Sequence, residues 1–105
     1  MKYLMVGKRY FVEFPTMLFY LRFISDKSLE FVVEKSPDLP KGSARTVDIT
    51  IELLRNDLYM VSWQEETGNT VAHIEGFKEH QVHAFLTMTN LKFIRQSAAL
   101  VEAPN

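Results

Sequence analysis

Apolar residues in this chain recur at every second position, and turn-forming residues interrupt them at intervals of roughly ten. In 45–54, Val47, Ile49, Ile51 and Leu53 alternate with Asp48, Thr50 and Glu52. The run LYMVSWQEETGNTVAHIEGF at 58–77 alternates in the same way on either side of Thr67-Gly68-Asn69. A period of two sends successive side chains to opposite faces, so each run specifies a strand with one apolar face. Further turn signals stand at Pro15, Ser25-Asp26, SPDLPKGS (36–43), Arg55-Asn56-Asp57, Lys78-Glu79-His80 and Asn90.

Between these marks the sequence predicts eight strands, at 8–14, 17–24, 28–34, 45–54, 58–65, 70–77, 81–88 and 91–100. Most connections are of hairpin length, so the expected fold is all-β: a small eight-stranded up-and-down antiparallel barrel. Closure removes the exposed edges that an open meander would leave. A helical alternative exists for 80–100, where Gln96–Leu100 carries two alanines. Against it, Val82, Ala84, Leu86 and Met88 alternate strictly, with β-branched Thr87 and Thr89 beside them. The 36–43 loop is the longest connection.

At 105 residues the chain is one domain, 1–105, long enough to bury an ordinary core. The hydrophobic content of 47% with 8 Phe and 4 Tyr belongs to a folded globular protein. A net charge of −1, with no basic cluster, argues against a nucleic-acid partner. Without cysteine there is no disulfide, thiolate metal site or cysteine nucleophile. The N-terminal MKYLMVGKRY is apolar for too few residues to form a leader core, and no later stretch approaches a membrane span. A soluble, cytoplasmic protein without membrane partners is the expectation.

Facing can be propagated from strand to strand. A two-residue turn at Glu79-His80 pairs Glu75 with Ala84 and His73 with Leu86. A three-residue turn at Thr67-Gly68-Asn69 pairs Glu65 with Val71, Trp63 with His73, Val61 with Glu75 and Tyr59 with Phe77. The interior then holds Tyr59, Trp63, Glu65, His73 and Glu75 among aliphatic walls. A two-residue turn at Gly68-Asn69 is the alternative and would flip the second pairing, and one slip in register would put His73 and Glu75 in solvent.

A carboxylate inside a barrel needs a donor, a proton, water or a ligand. Few polar groups converging in an apolar cavity is the pattern of a small-molecule site, and these five residues are the candidate ligand contacts. His73, Glu75, His80 and His83 do not converge on one ion in this arrangement, so no metal site is expected. No other cofactor is indicated, and no serine stands in a nucleophile-elbow or triad context.

The central hairpin resembles the MoaF-like family, which reads Tyr-x-Val-x-Trp-x-Glu, a glycine turn, then Thr-Val-x-His-x-x-Asp-Phe. Tyr59, Val61, Trp63, Glu65, Gly68, Thr70, Val71, His73 and Phe77 match, while Gly76 stands where Asp is usual. With GKRYFVEF and FISDKSLEF the resemblance covers roughly residues 7 to 97, and it implies a lipocalin-like barrel. The phenolic acid decarboxylases share the Ser-Trp-x-Glu and Thr-Gly pattern. Glu65 matches their catalytic glutamate, which implies an inward carboxylate, and Arg45 lies near their arginine. Val12 and Phe14 occupy the positions of their two tyrosines, so that activity is not implied here.

Three functions are compatible with these residues. The first is a non-enzymatic barrel that binds a small hydrophobic or aromatic molecule through Glu65, His73 and Trp63. The second is a lyase-like acid–base enzyme using Glu65 and His73, and the third a filled barrel that homodimerises through Leu18, Tyr20 and Val32.

Overall fold

The computed structural model describes residues 3–104; Met1 and Lys2, part of the N-terminal run weighed as a leader, and Asn105 lie outside them. Nine antiparallel strands form one sheet: β1 (Arg9–Phe14), β2 (Met17–Ser25), β3 (Ser28–Lys35), β4 (Ala44–Asp48), β5 (Thr50–Arg55), β6 (Leu58–Gln64), β7 (Thr70–Gly76), β8 (Gln81–Thr87) and β9 (Phe93–Ala103). Their order is β4-β3-β2-β1-β9-β8-β7-β6-β5. The first and last strands of that order are consecutive in the chain, so the sheet curls into a nearly closed lipocalin-like barrel. No helix occurs among the described residues, and none could cross a membrane.

The ninth strand arises by division of the predicted 45–54 strand. At Ile49 the chain turns its N–H to the Lys27 carbonyl (2.9 Å) and changes partners. Residues before it pair with β3, from Val32↔Ala44 to Ser28↔Asp48. Those after it pair with β6, from Thr50↔Ser62 to Arg55↔Leu58. One bent strand thus serves both ends of the sheet. β9 works similarly: Phe93 to Ala99 pair with β8, and Leu100 to Ala103 with β1. The helical alternative for 80–100 is thereby excluded.

Both predicted hairpin registers are off by two residues. The β7–β8 turn spans 77–80, so Glu75 pairs with Val82 and His73 with Ala84. In the β6–β7 hairpin Trp63 pairs with Val71, Val61 with His73 and Tyr59 with Glu75. The Glu65 N–H then donates to the Asn69 carbonyl, enclosing a Glu66-Thr67-Gly68 turn. Because side chains repeat every two residues, an even slip changes partners without changing faces. The predicted interior face is therefore the observed one.

The core distinguishes the two ends of the barrel. At one end Tyr10, Phe23, Tyr59 and Phe77 interlock with ring centroids 5.1–6.0 Å apart, mostly edge to face. Tyr3 lies edge-on to Tyr59 at 5.6 Å, and Met5, fully buried, joins the same core. That end is closed. The other carries the β1–β2 turn, the 36–43 loop, the Glu66-Thr67-Gly68 turn and the β8–β9 turn. Two of these turns are tied together where the Thr89 N–H donates to Asn69 Oδ1 (3.1 Å).

Two exposure expectations are corrected. Leu53, placed inside by alternation, is 43% exposed, because a register irregularity between Leu53 and Arg55 releases the end of β5. Leu18, Tyr20 and Val32, expected as an exposed patch, are half-buried. Tyr20 is covered by Phe11, with ring centroids 5.2 Å apart, and by the Arg9 guanidinium 4.2 Å from its ring centre.

Candidate functional site

The open end contains a cavity of about 370 Å³. Its wall is apolar, with Phe14, Met17, Phe19, Leu21, Phe31 and Leu86 among the lining residues. Alternation within β1, β2, β3 and β8 turns these side chains inward. Asp38 and Leu39 of the 36–43 loop, Arg45 of β4 and Thr67 and Asn69 of the β6–β7 connection complete the lining.

Three of the five predicted contacts line this space: Trp63, Glu65 and His73. Tyr59 points inward but belongs to the aromatic cluster at the closed end. Glu75 is also inward, fully buried and toward the closed end from His73, outside the cavity lining. Inward facing alone could not separate cavity from core; that needs each residue's height along the barrel. Arg45, Asn69 and Gln96 are further polar lining residues, and only Arg45 stood out in the sequence.

His73 and Glu75 share one face of β7 at adjacent inward positions, which brings His73 Nδ1 within 3.0 Å of Glu75 Oε2. Their side chains are 3% and 0% exposed. With Nδ1 engaged by Glu75, Nε2 is the ring nitrogen left for a ligand. The imidazole packs edge to face against Trp63 and Phe14, with ring centroids 4.9 Å and 6.4 Å away. Glu75 Oε1 and the Trp63 indole N–H are buried without a hydrogen-bond partner among the described residues. Glu65 is half-buried, its Oε1 accepting from Asn69 Nδ2 at 3.4 Å.

Below this pair, burial pushes the Tyr10 phenol well above its usual range, helped by the charges of Glu102 and Glu75. Val12 and Phe14, at the positions of the decarboxylase tyrosines, are buried apolar residues. No group of three or more metal-ligating side chains converges among the described residues.

The class of protein is thus set by the architecture: a small up-and-down β-barrel, closed at one end by aromatic packing and hollow at the other. The chain belongs to the MoaF-like family, which it matches over residues 6–101. It is also similar to a solved structure from Burkholderia vietnamiensis, described provisionally as a beta-lactamase. The identity is 23%, the TM-score 0.89, and the match covers 98% of this chain and 99% of that one. That likeness establishes the fold and carries no chemistry with it. No curated protein matches the chain. Gly76, at the usual Asp position of the family pattern, is buried where a Cβ would come within 2.8 Å of Glu79 Oε2.

Proposed function

We propose that this barrel binds a small, mostly apolar planar molecule at its open end, with His73, Trp63 and Glu65 as the principal contacts. The observation that carries this reading is the cavity itself. About 370 Å³ of space has an apolar wall, a few polar groups and a buried histidine engaged through Nδ1 alone among the described residues. That volume lies within the range of small-molecule sites. A barrel filled throughout as an interaction module does not account for it. The reading involves no nucleic acid, membrane or metal, takes the cytoplasm as the compartment, and leaves homodimerisation as a separate proposal.

One observation favours a second reading. A histidine oriented by a carboxylate through Nδ1 is the arrangement of a general base, and Glu65 lines the same cavity. A lyase-like reaction on a small planar substrate would use these two groups. Native mass spectrometry of protein taken directly from cells separates the alternatives. Binding predicts a retained small-molecule adduct that Glu65→Gln weakens with the fold intact. Turnover of the released compound, lost in the same variant, would favour the enzyme. A bare mass, together with no response of Trp63 fluorescence to apolar probes, would contradict both.

A further inference from the structure

We infer that His73 presents a hydrogen-bond donor to the cavity, and that the ligand is therefore a neutral planar aromatic compound bearing a carbonyl oxygen. This rests on the binding function proposed above and specifies its ligand.

In the dyad, Glu75 is 0% exposed, and among the described residues its only ion-pair partner is His73. Glu75 Oε1 is buried with no hydrogen-bond partner among the described residues, so a proton placed there would be a stranded donor. With that state set aside, three arrangements satisfy the 3.0 Å contact between Nδ1 and Oε2. In the first, a doubly protonated imidazole donates from Nδ1 to an ionised Glu75, and Nε2 also carries a proton. In the second, a protonated Glu75 donates to Nδ1, and the one imidazole proton lies on Nε2. In the third, a neutral imidazole donates from Nδ1 to an ionised Glu75, and Nε2 is bare. The first two are neutral as a pair, while the third leaves a net negative charge on a fully buried carboxylate whose Oε1 has no partner among the described residues. Burying an uncompensated charge is the costliest of these states. Both neutral states share the same outward feature: a proton on Nε2.

Tyr10, whose phenol feels the charge of Glu75, does not supply the missing compensation. Burial keeps the Tyr10 phenol protonated, so it adds neither positive nor negative charge. At the rim Arg45 is exposed, and Asp38 and Glu65 oppose it in sign. The site thus offers a donor at depth, beside the Trp63 and Phe14 rings, with no buried Lys or Arg among its described lining residues. A carbonyl oxygen on a flat ring meets those demands. A carboxylate at the same depth would add a second anion beside Glu75.

Three compounds of nearly one shape test this by NMR-monitored titration: para-methylacetophenone, para-cymene and para-methylbenzoate. The ketone is expected to bind roughly tenfold more tightly than para-cymene, the gain of one hydrogen bond to a buried donor. It is also expected to bind more tightly than the benzoate. The double variant His73→Phe/Glu75→Leu, which keeps the site apolar, should abolish the preference for the ketone. Long-range proton–nitrogen spectra of His73 in the free protein should show a proton on Nε2. Equal binding of ketone and para-cymene, tighter binding of the benzoate, or a bare Nε2 would each overturn the inference and leave the cavity reading standing. Failure of all three compounds to bind would overturn both.

Discussion

His73 and Glu75 are stable together and costly apart. Removing one member of a buried ionisable pair strands the other, whereas replacing both with apolar residues of similar size is often neutral. Glu75→Leu or His73→Phe alone should therefore destabilise the barrel by about 3–5 kcal/mol in urea unfolding, and the double variant by much less. Additive losses would mean that the two side chains do not act as a unit. Tyr10 makes a prediction with a defined sign. Its phenol titrates higher folded than unfolded, so its contribution is complete below the unfolded value of about 10 and fades as pH rises beyond it. Stability should fall on the alkaline side, and Tyr10→Phe should flatten that limb. Leu91 offers the opposite opportunity. It holds φ = 71° and is 85% exposed, so it bears left-handed strain without burial to offset it. Leu91→Asn should raise stability by about 1 kcal/mol in the same unfolding measurement.

Among the elements, the β6–β7 hairpin does most to define the site. Its turn needs glycine: Gly68 has φ = 99°, and a Cβ there would stand 2.9 Å from the Thr89 methyl. Gly68→Ala should cost about 1–3 kcal/mol and loosen the tie between the two open-end turns, seen as faster amide exchange at Thr89. The facing of Trp63, Glu65, His73 and Glu75 was legible in the sequence because it depends only on the parity of the turns. The cross-strand partners were not, because turn length fixes them, and Phe77 and Glu65 each join a turn where strand continuation was expected. The bend at Ile49 was equally hidden. Val47, Ile49 and Ile51 alternate without a break while the backbone changes neighbours, and nothing in the side-chain pattern records that exchange.

For the whole molecule, the two ends of the barrel do different work. Aromatic packing around Tyr10, Tyr59 and Phe77 gives the closed end a solid core, and the residues lining the open end leave room. Strand count and alternation sufficed for the barrel, but the cavity depends on how far each inward side chain sits from either end, which a one-dimensional pattern does not encode. The chain contains a single tryptophan, and it lines the cavity, so its emission responds to occupancy of that space. Titration with para-cymene, in the native chain and in Ala84→Phe, which fills the space from the β8 wall, is the most direct measurement. A hollow open end predicts a saturable one-to-one change in Trp63 emission that the larger side chain eliminates. No response in either protein, or the same response in both, would contradict it.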